Sequence, residues 1–166
     1  MLRLRLATLA LVVGLAGLLL ADPAHAQMSI PPASFEEVVE RAESRDTPIL
    51  VEVYTSWCPY CQRMQDEVYA DSTVQAYLES NFTYVRLNSD TTGSTTHRFD
   101  GRTVTTSELA SMFGARGVPT TVFLTPDGTP IAHQPGFIER PMFLTMIRFV
   151  GSGAYEEQSF QEFSGR

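Results

Sequence analysis

The sequence predicts a single α/β layered domain with a central mixed β-sheet flanked by helices. Three observations carry that prediction. Helical and β-prone segments alternate along the chain. One of the β-prone runs, ILVEVYT, is apolar almost throughout, as a strand covered on both faces must be. Near the C-terminal end, two further strand-like runs flank a strong turn signal, which adds an antiparallel pair to a β-α-β core.

The elements follow in order. Ser34 and Glu37 have capping-box spacing, and Phe35, Val38, Val39 and Ala42 then share one helical face, with Pro48 as a stop. Ile49–Thr55 is the buried strand. From Cys58 the pattern turns helical through Met64 and Val68, and after a fresh cap at Asp71 through Val74, Tyr77 and Leu78. Phe82–Leu87 is the second strand. Thr105 and Glu108 again have capping-box spacing, and Leu109, Met112 and Phe113 supply the apolar side of a helix ending at Gly114. Thr120–Leu124 and Pro130–His133 form a hairpin across Thr125-Pro126-Asp127-Gly128-Thr129. Glu139–Val150 is a closing amphipathic helix, and the tail, 151–166, has apolar spacing for one short docking helix.

The first 26 residues stand outside this domain. Arg3 and Arg5 precede a largely apolar run from Leu6 to Leu20, and Ala24-His25-Ala26 is a small-x-small cleavage site. The alternative, a retained membrane anchor, needs a span of about 20 apolar residues. Cleavage before Gln27 leaves residues 27–166, with a core at about 34–150, in the periplasm, and the membrane is met only through the transient leader. Losing Arg3, Arg5 and Asp22 moves the net charge from −7 to −8. So acidic a chain lacks the basic face of a nucleic-acid binder. All 12 basic residues are Arg, so chemistry built on a lysine Schiff base or a P-loop lysine is excluded.

The two cysteines fall together in Ser56-Trp57-Cys58-Pro59-Tyr60-Cys61, after the buried strand and at the start of a helix. Residues i and i+3 there can bring their sulfurs together. Unpaired N–H groups and the helix dipole stabilise a thiolate on the first cysteine, and Pro59 suits the first helical position. Position and expected exposure assign Cys58 as the attacking thiolate and Cys61, one turn on, as the buried resolving thiol. A purely structural disulfide would close too short a loop to stabilise much. A metal site would have only His97 and His133 to add, so no metal is expected, and the sole redox group expected is the Cys58–Cys61 pair. A chance CxxC in a loop is the third alternative.

ILVEVYTSWCPYCQRM resembles the active-site segment of thioredoxin-fold proteins, and GVPTTVFLTPDG, Gly117–Gly128, resembles their cis-proline segment. The resemblance spans about Ser34 to Val150. It implies a thioredoxin fold in which Pro119 is a cis-proline facing the cysteines. The Val118–Pro119 bond and Thr120 would hold an extended substrate peptide, with Trp57, Pro59 and Tyr60 beside the reacting sulfur. An ordinary trans-proline opening a strand and a core-packing Trp57 are the plainer alternatives. Glu52 interrupts an apolar strand, where a carboxylate needs a task or a partner. The resemblance gives it proton transfer for the resolving cysteine and places Arg86 where thioredoxin has a partnering lysine. The alternative is that Glu52 reaches solvent unpaired. Replacing it with Gln is then expected to slow reduction near neutral pH more than it alters stability.

Two features depart from plain thioredoxin. The Pro-Tyr dipeptide is that of glutaredoxins. The connection Ser89–Thr106 is longer, with Asp100-Gly101 set for a small hairpin before a capped helix, which resembles exported SoxW-type thioredoxins of bacterial sulfur oxidation; a solvent-facing insertion without a role is the alternative. The resemblance implies an exported thiol–disulfide oxidoreductase, acting as a monomer and as a reductase on protein disulfides. Its partners would be a sulfur-carrier protein and a membrane thiol-electron donor. A thiol oxidase or isomerase of the same fold is the first alternative. A redox-inert binding or metallochaperone module is the second.

Overall fold

The computed structural model describes residues 34–90 and 95–165. The predicted leader, residues 1–26, and part of the long connection, residues 91–94, lie outside the described residues. The elements are α1 (Phe35–Arg45), β1 (Ile49–Tyr54), α2 (Pro59–Met64), α3 (Ser72–Asn81), β2 (Thr83–Asn88), β3 (Thr96–Phe99), β4 (Arg102–Thr105), α4 (Thr106–Met112), β5 (Thr120–Leu124), β6 (Pro130–Pro135), α5 (Arg140–Gly151) and α6 (Phe160–Ser164).

The main sheet has the order β2-β1-β5-β6. β1 is parallel to β2 and antiparallel to β5, which is antiparallel to β6, so the sheet is mixed. β1 ends and β5 begins at the same edge of the sheet, with Val53 opposite Thr120. That register brings the segment carrying the cysteines beside the segment carrying Pro119.

Successive residues of β1 point to opposite faces and feed two cores. Ile49, Val51 and Val53 pack with Val122, Leu124, Phe35, Leu109 and Phe113 on one face. Leu50 packs with Phe123, Met64, Val74, Phe143 and Ile147 on the other. A layer on each side makes both faces of β1 dry, which is why its sequence is a continuous apolar run.

Several boundaries differ from the sequence expectation for physical reasons. α1 is capped by Ser34 Oγ, which accepts the Glu37 N–H. It ends before Pro48, because Asp46 turns left-handed (φ 51°) and its N–H closes onto the Ala42 and Glu43 carbonyls. The helix after Cys58 widens into a π-helical turn over Gln65–Tyr69, which directs Val68 and Tyr69 inward. Asp71 then caps α3 by accepting the Thr73 and Val74 N–H groups while also holding Arg140. The Val74 N–H, the Thr73 N–H and the Arg140 charge together hold the Asp71 carboxyl below its ordinary range. In α4 the Thr105/Glu108 box is complete, but Met112 is on the exposed side and Ala110 takes the predicted place inside.

The described part of the long connection from residue 95 onward packs on the domain rather than standing apart in solvent. β3 and β4 form a hairpin whose two turn residues, Asp100 and Gly101, both have positive φ. Its Phe99 ring meets Phe35 edge-on at 5.3 Å and Phe113 at 5.4 Å. His97 is 3% exposed and shares a 3.0 Å hydrogen bond with the Thr106 hydroxyl at the start of α4. Burial pushes its imidazole pKa down, favouring the neutral ring. The C-terminal tail folds as a 3₁₀ turn, Ala154–Glu156, followed by α6, instead of one helix. α6 sets Phe160 and Phe163 on Phe149.

Candidate active site

The site is assembled where β1 runs out. A turn closed by the Cys58 N–H on the Thr55 carbonyl carries Cys58 to the N-cap of α2, with Pro59 in the first turn. Cys58 and Cys61 are joined as a disulfide, with 5.2 Å between their α-carbons. The Cys58 sulfur accepts the Cys61 N–H at 3.1 Å, and the Cys58 carbonyl accepts the N–H groups of both Cys61 and Gln62. Donors that an isolated helix end would leave to water therefore point at Cys58. In the reduced pair the same geometry favours the thiolate on that sulfur.

The expected exposure of Cys58 does not hold in the disulfide: Cys58 is 6% exposed and Cys61 2%, so position in the helix and not exposure separates the two sulfurs. Trp57 and Tyr60, by contrast, are 67% and 58% exposed. Two large aromatic surfaces thus flank a nearly covered disulfide, and the core-packing alternative for Trp57 does not hold. Pro59 is exposed between them.

Across the gap, the Val118–Pro119 bond is cis. Pro119 is buried and Val118 half-buried. The segment is tied down by the Thr120 hydroxyl donating to the Gly117 carbonyl at 2.7 Å and by the Gly136 N–H donating to the Pro119 carbonyl at 2.8 Å. Trp57, Thr55, Gly117 and Val118 line one groove, which brings the two predicted motifs together.

Glu52 is 1% exposed and fully partnered, so the solvent-reaching alternative is excluded. Its Oε2 accepts from Gln65 Nε2 at 2.8 Å, from the Tyr84 hydroxyl at 2.6 Å and from Arg86 Nε at 2.8 Å, while Oε1 accepts from Arg86 Nη2 at 3.2 Å. The Arg86 contact follows from register, since the two residues sit opposite each other in the parallel β1–β2 pair. The guanidinium also lies over the Tyr54 ring, 4.0 Å from its centroid. Burial, then the Glu52 charge, push the Tyr69 and Tyr84 hydroxyls well above their ordinary pKa. Burial works against the Arg86 charge, but the Glu52 hydrogen bond and charge outweigh it and raise its pKa.

Glu52 lies on the sheet face opposite Val53 and Thr55, and its link to the cysteines is indirect. Gln65, whose amide holds the carboxylate, donates its backbone N–H to the Cys61 carbonyl. Sequence reasoning named Glu52 and Arg86 but missed Tyr84 and Gln65. Period-two spacing from Arg86 and helical i+4 spacing from Cys61 are the signals that locate them.

A larger cavity of about 620 Å³ lies elsewhere, between β6, α5 and α6, and is lined by Phe123, Ile131, Met142, Met146 and Phe149. It contains none of the predicted site residues.

Comparison with known proteins bears directly on this arrangement. The family model described as a thioredoxin-like domain matches residues 35–151. The chain is 26% identical over 114 residues to the chloroplastic thioredoxin-like protein HCF164 of Oryza sativa subsp. japonica, covering 69% of this chain and 38% of that protein. It is 25% identical over 109 residues to the thiol:disulfide interchange protein DsbD of Yersinia pestis, covering 64% of this chain and 16% of that protein. The match therefore spans less than two-fifths of either relative. Among solved structures, a thioredoxin from Thermus thermophilus is 28% identical with a TM-score of 0.57, covering 75% of this chain and 90% of that one. A Helicobacter pylori thioredoxin-fold protein, 22% identical with a TM-score of 0.63 over 83% of each chain, agrees in fold.

Proposed function

Because this chain belongs to the thioredoxin-like domain family, we propose that it is an exported protein-disulfide reductase working through the Cys58–Cys61 pair. A general thiol–disulfide oxidoreductase role follows from the family and from the disulfide itself. The observation that carries the finer reading is the placement of the Cys58 sulfur on the Cys61 N–H in the first turn of α2, between two exposed aromatic rings.

In the reduced protein, the Cys58 thiolate attacks one sulfur of a substrate disulfide and the other sulfur leaves as a thiol. The Cys61 thiol loses its proton and attacks Cys58 within the mixed disulfide. The second substrate thiol departs and the Cys58–Cys61 disulfide forms. Trp57, Pro59 and Tyr60 cover the approach on one side. On the other side Val118, held in place by Pro119 and Thr120, offers its main chain to a substrate segment in strand-like conformation. The proton that Cys61 gives up passes by way of a water molecule to the Glu52 carboxylate, which Gln65 ties to the helical turn carrying Cys61.

Export rests on the leader sequence. Outside the cytoplasm thiols are oxidised, so a reductase there needs a membrane thiol-electron donor to reset it. Within that compartment one substrate class is a sulfur-carrier protein bearing a thiol-linked intermediate, which the capped α4 and its preceding hairpin support. The reading is tested by insulin-disulfide reduction with dithiothreitol as electron source. Wild-type protein accelerates precipitation of the insulin chains, and Cys58→Ser does not. Wild type performing no better than Cys58→Ser overturns it.

A further inference from the structure

A groove of about 340 Å³ opens where β1 ends, on the sheet face opposite Glu52, and reaches the residues that directly precede Cys58 and Pro119 in the chain. Thr55 and Trp57 come from the segment leading to Cys58, Asp90 from the segment after β2, and Arg116 and Val118 from the segment before Pro119. Arg63, Arg86, Arg98, Arg102 and Arg140 each hold a carboxylate. Arg116 is exposed and, like Arg41, Arg45 and Arg148, has no ion pair among the described residues; it differs from those three in lining a groove that also carries a carboxylate. On another wall of the groove, the Asp90 carboxylate accepts a hydrogen bond from the Ser56 hydroxyl at 3.0 Å and has no arginine partner among the described residues. Thr55 is 6% exposed, and its hydroxyl has no hydrogen-bond partner among the described residues.

An unpaired cation, an anion and an unsatisfied hydroxyl around one small groove match a ligand with a carboxylate and an ammonium on the same carbon. Such a head group beside a reactive sulfur pair, when it carries sulfur itself, is an amino-acid disulfide. We propose that this groove binds the α-amino-acid head group of a low-mass disulfide and that the reduced Cys58–Cys61 pair reduces it, a second substrate class beside protein disulfides. The proposal rests on the dithiol chemistry above.

With cystine as probe, the Cys58 thiolate attacks one cystine sulfur, the cystine S–S bond breaks, and one cysteine leaves and takes a proton from water. The half bonded to Cys58 rests its carboxylate on Arg116 and Thr55 and its ammonium on Asp90. Cys61 gives up its proton and attacks Cys58, releasing the second cysteine. Two electrons pass from the cysteine pair to cystine.

The test uses full-length, pre-reduced protein freed of reductant, with oxidation followed by fluorescence of Trp57, the only tryptophan. Rates with cystine, with cystamine (no carboxylates) and with 3,3′-dithiodipropionate (no ammoniums) are each divided by the rate of the same probe with dithiothreitol. Cystine is expected to exceed both trimmed probes by about tenfold, the effect of one charged contact worth about 1.4 kcal/mol. Arg116→Gln removes the advantage over cystamine and Asp90→Asn the advantage over dithiodipropionate. Thr55→Val slows cystine alone without lowering Tm, since its hydroxyl has no partner to lose. Arg41→Gln, the same charge change on α1 outside the groove, leaves every ratio as in wild type. Glutathione disulfide carries the same head group on a peptide arm, and whichever natural disulfide shows the larger Arg116-dependent rate is the source of that group. Normalised rates equal for all probes, or ratios untouched by Arg116→Gln, overturn the groove while insulin reduction still stands. Failure with insulin as well overturns the dithiol reading itself.

Discussion

Replacing Cys61 with Ser is expected to strand substrate proteins on Cys58 as mixed disulfides and to reduce turnover by on the order of 10³-fold or more, the scale of losing one member of a reacting unit. Cys61 is bonded to Cys58 and 2% exposed, so it is reached by the neighbouring sulfur and by little else. Without it, a mixed disulfide formed at Cys58 has no internal nucleophile to release it. The adducts are read on non-reducing gels and disappear with dithiothreitol. Cys58→Ser, which leaves only the covered Cys61 thiol, is expected to trap nothing. Adducts on Cys58→Ser in place of Cys61→Ser would reverse the assignment of the two sulfurs. The trapped proteins also identify the partners, including any sulfur carrier.

Glu52→Gln is expected to act on rate and stability together. Removing one partner of a buried pair leaves the other charge uncompensated, at about 3 kcal/mol, the low end of the range because Arg86 is 22% exposed. That corresponds to a fall in Tm of roughly 6–12 °C for a domain of this size. The four hydrogen bonds on the carboxylate thus amend the expectation from sequence that the rate would respond more than stability. Arg86→Leu in the same chain removes the orphaned guanidinium and is expected to restore part of the stability without restoring the rate. Proton transfer by Glu52 predicts a loss on the order of 10²-fold in reduction near neutral pH, together with a changed pH–rate profile. A profile unchanged in shape would leave Glu52 as the anchor of the Arg86–Tyr84–Gln65 cluster and nothing more.

What was legible in the sequence was local. The caps at Ser34, Asp71 and Thr105, the Asp100-Gly101 turn and the cysteine spacing each depend on residues within a few positions of one another, and each appears in the structure. The apolar run of β1 was legible because both its faces are covered. Contacts between distant segments were legible only through the family resemblance, which paired Arg86 with Glu52, and the others were not. Tyr84 reaches Glu52 across 32 positions: period-two spacing puts it on the Arg86 face of β2, but the β1–β2 register that carries it to Glu52 is reported by no pattern inside either strand. Phe99 belongs to the core through an edge contact with Phe35, although its segment reads as polar. Met112 is apolar by type yet faces outward, since the inner side of a two-turn helix is filled by Leu109 and Ala110. Arg116 and Asp90 line one groove because β1 and the parallel β2 end where β5 begins.

The covered disulfide and the exposed rings of Trp57 and Tyr60 lie together just past the end of β1. Whether the protein gives electrons to its partners or takes electrons from them depends on the free-energy difference between its dithiol and disulfide forms. The most direct measurement is therefore the redox potential of the Cys58–Cys61 pair, from equilibration with dithiothreitol and glutathione buffers. The reductase account predicts a value near that of thioredoxin, about −270 mV. A value near about −120 mV, that of a strong disulfide donor, would contradict it.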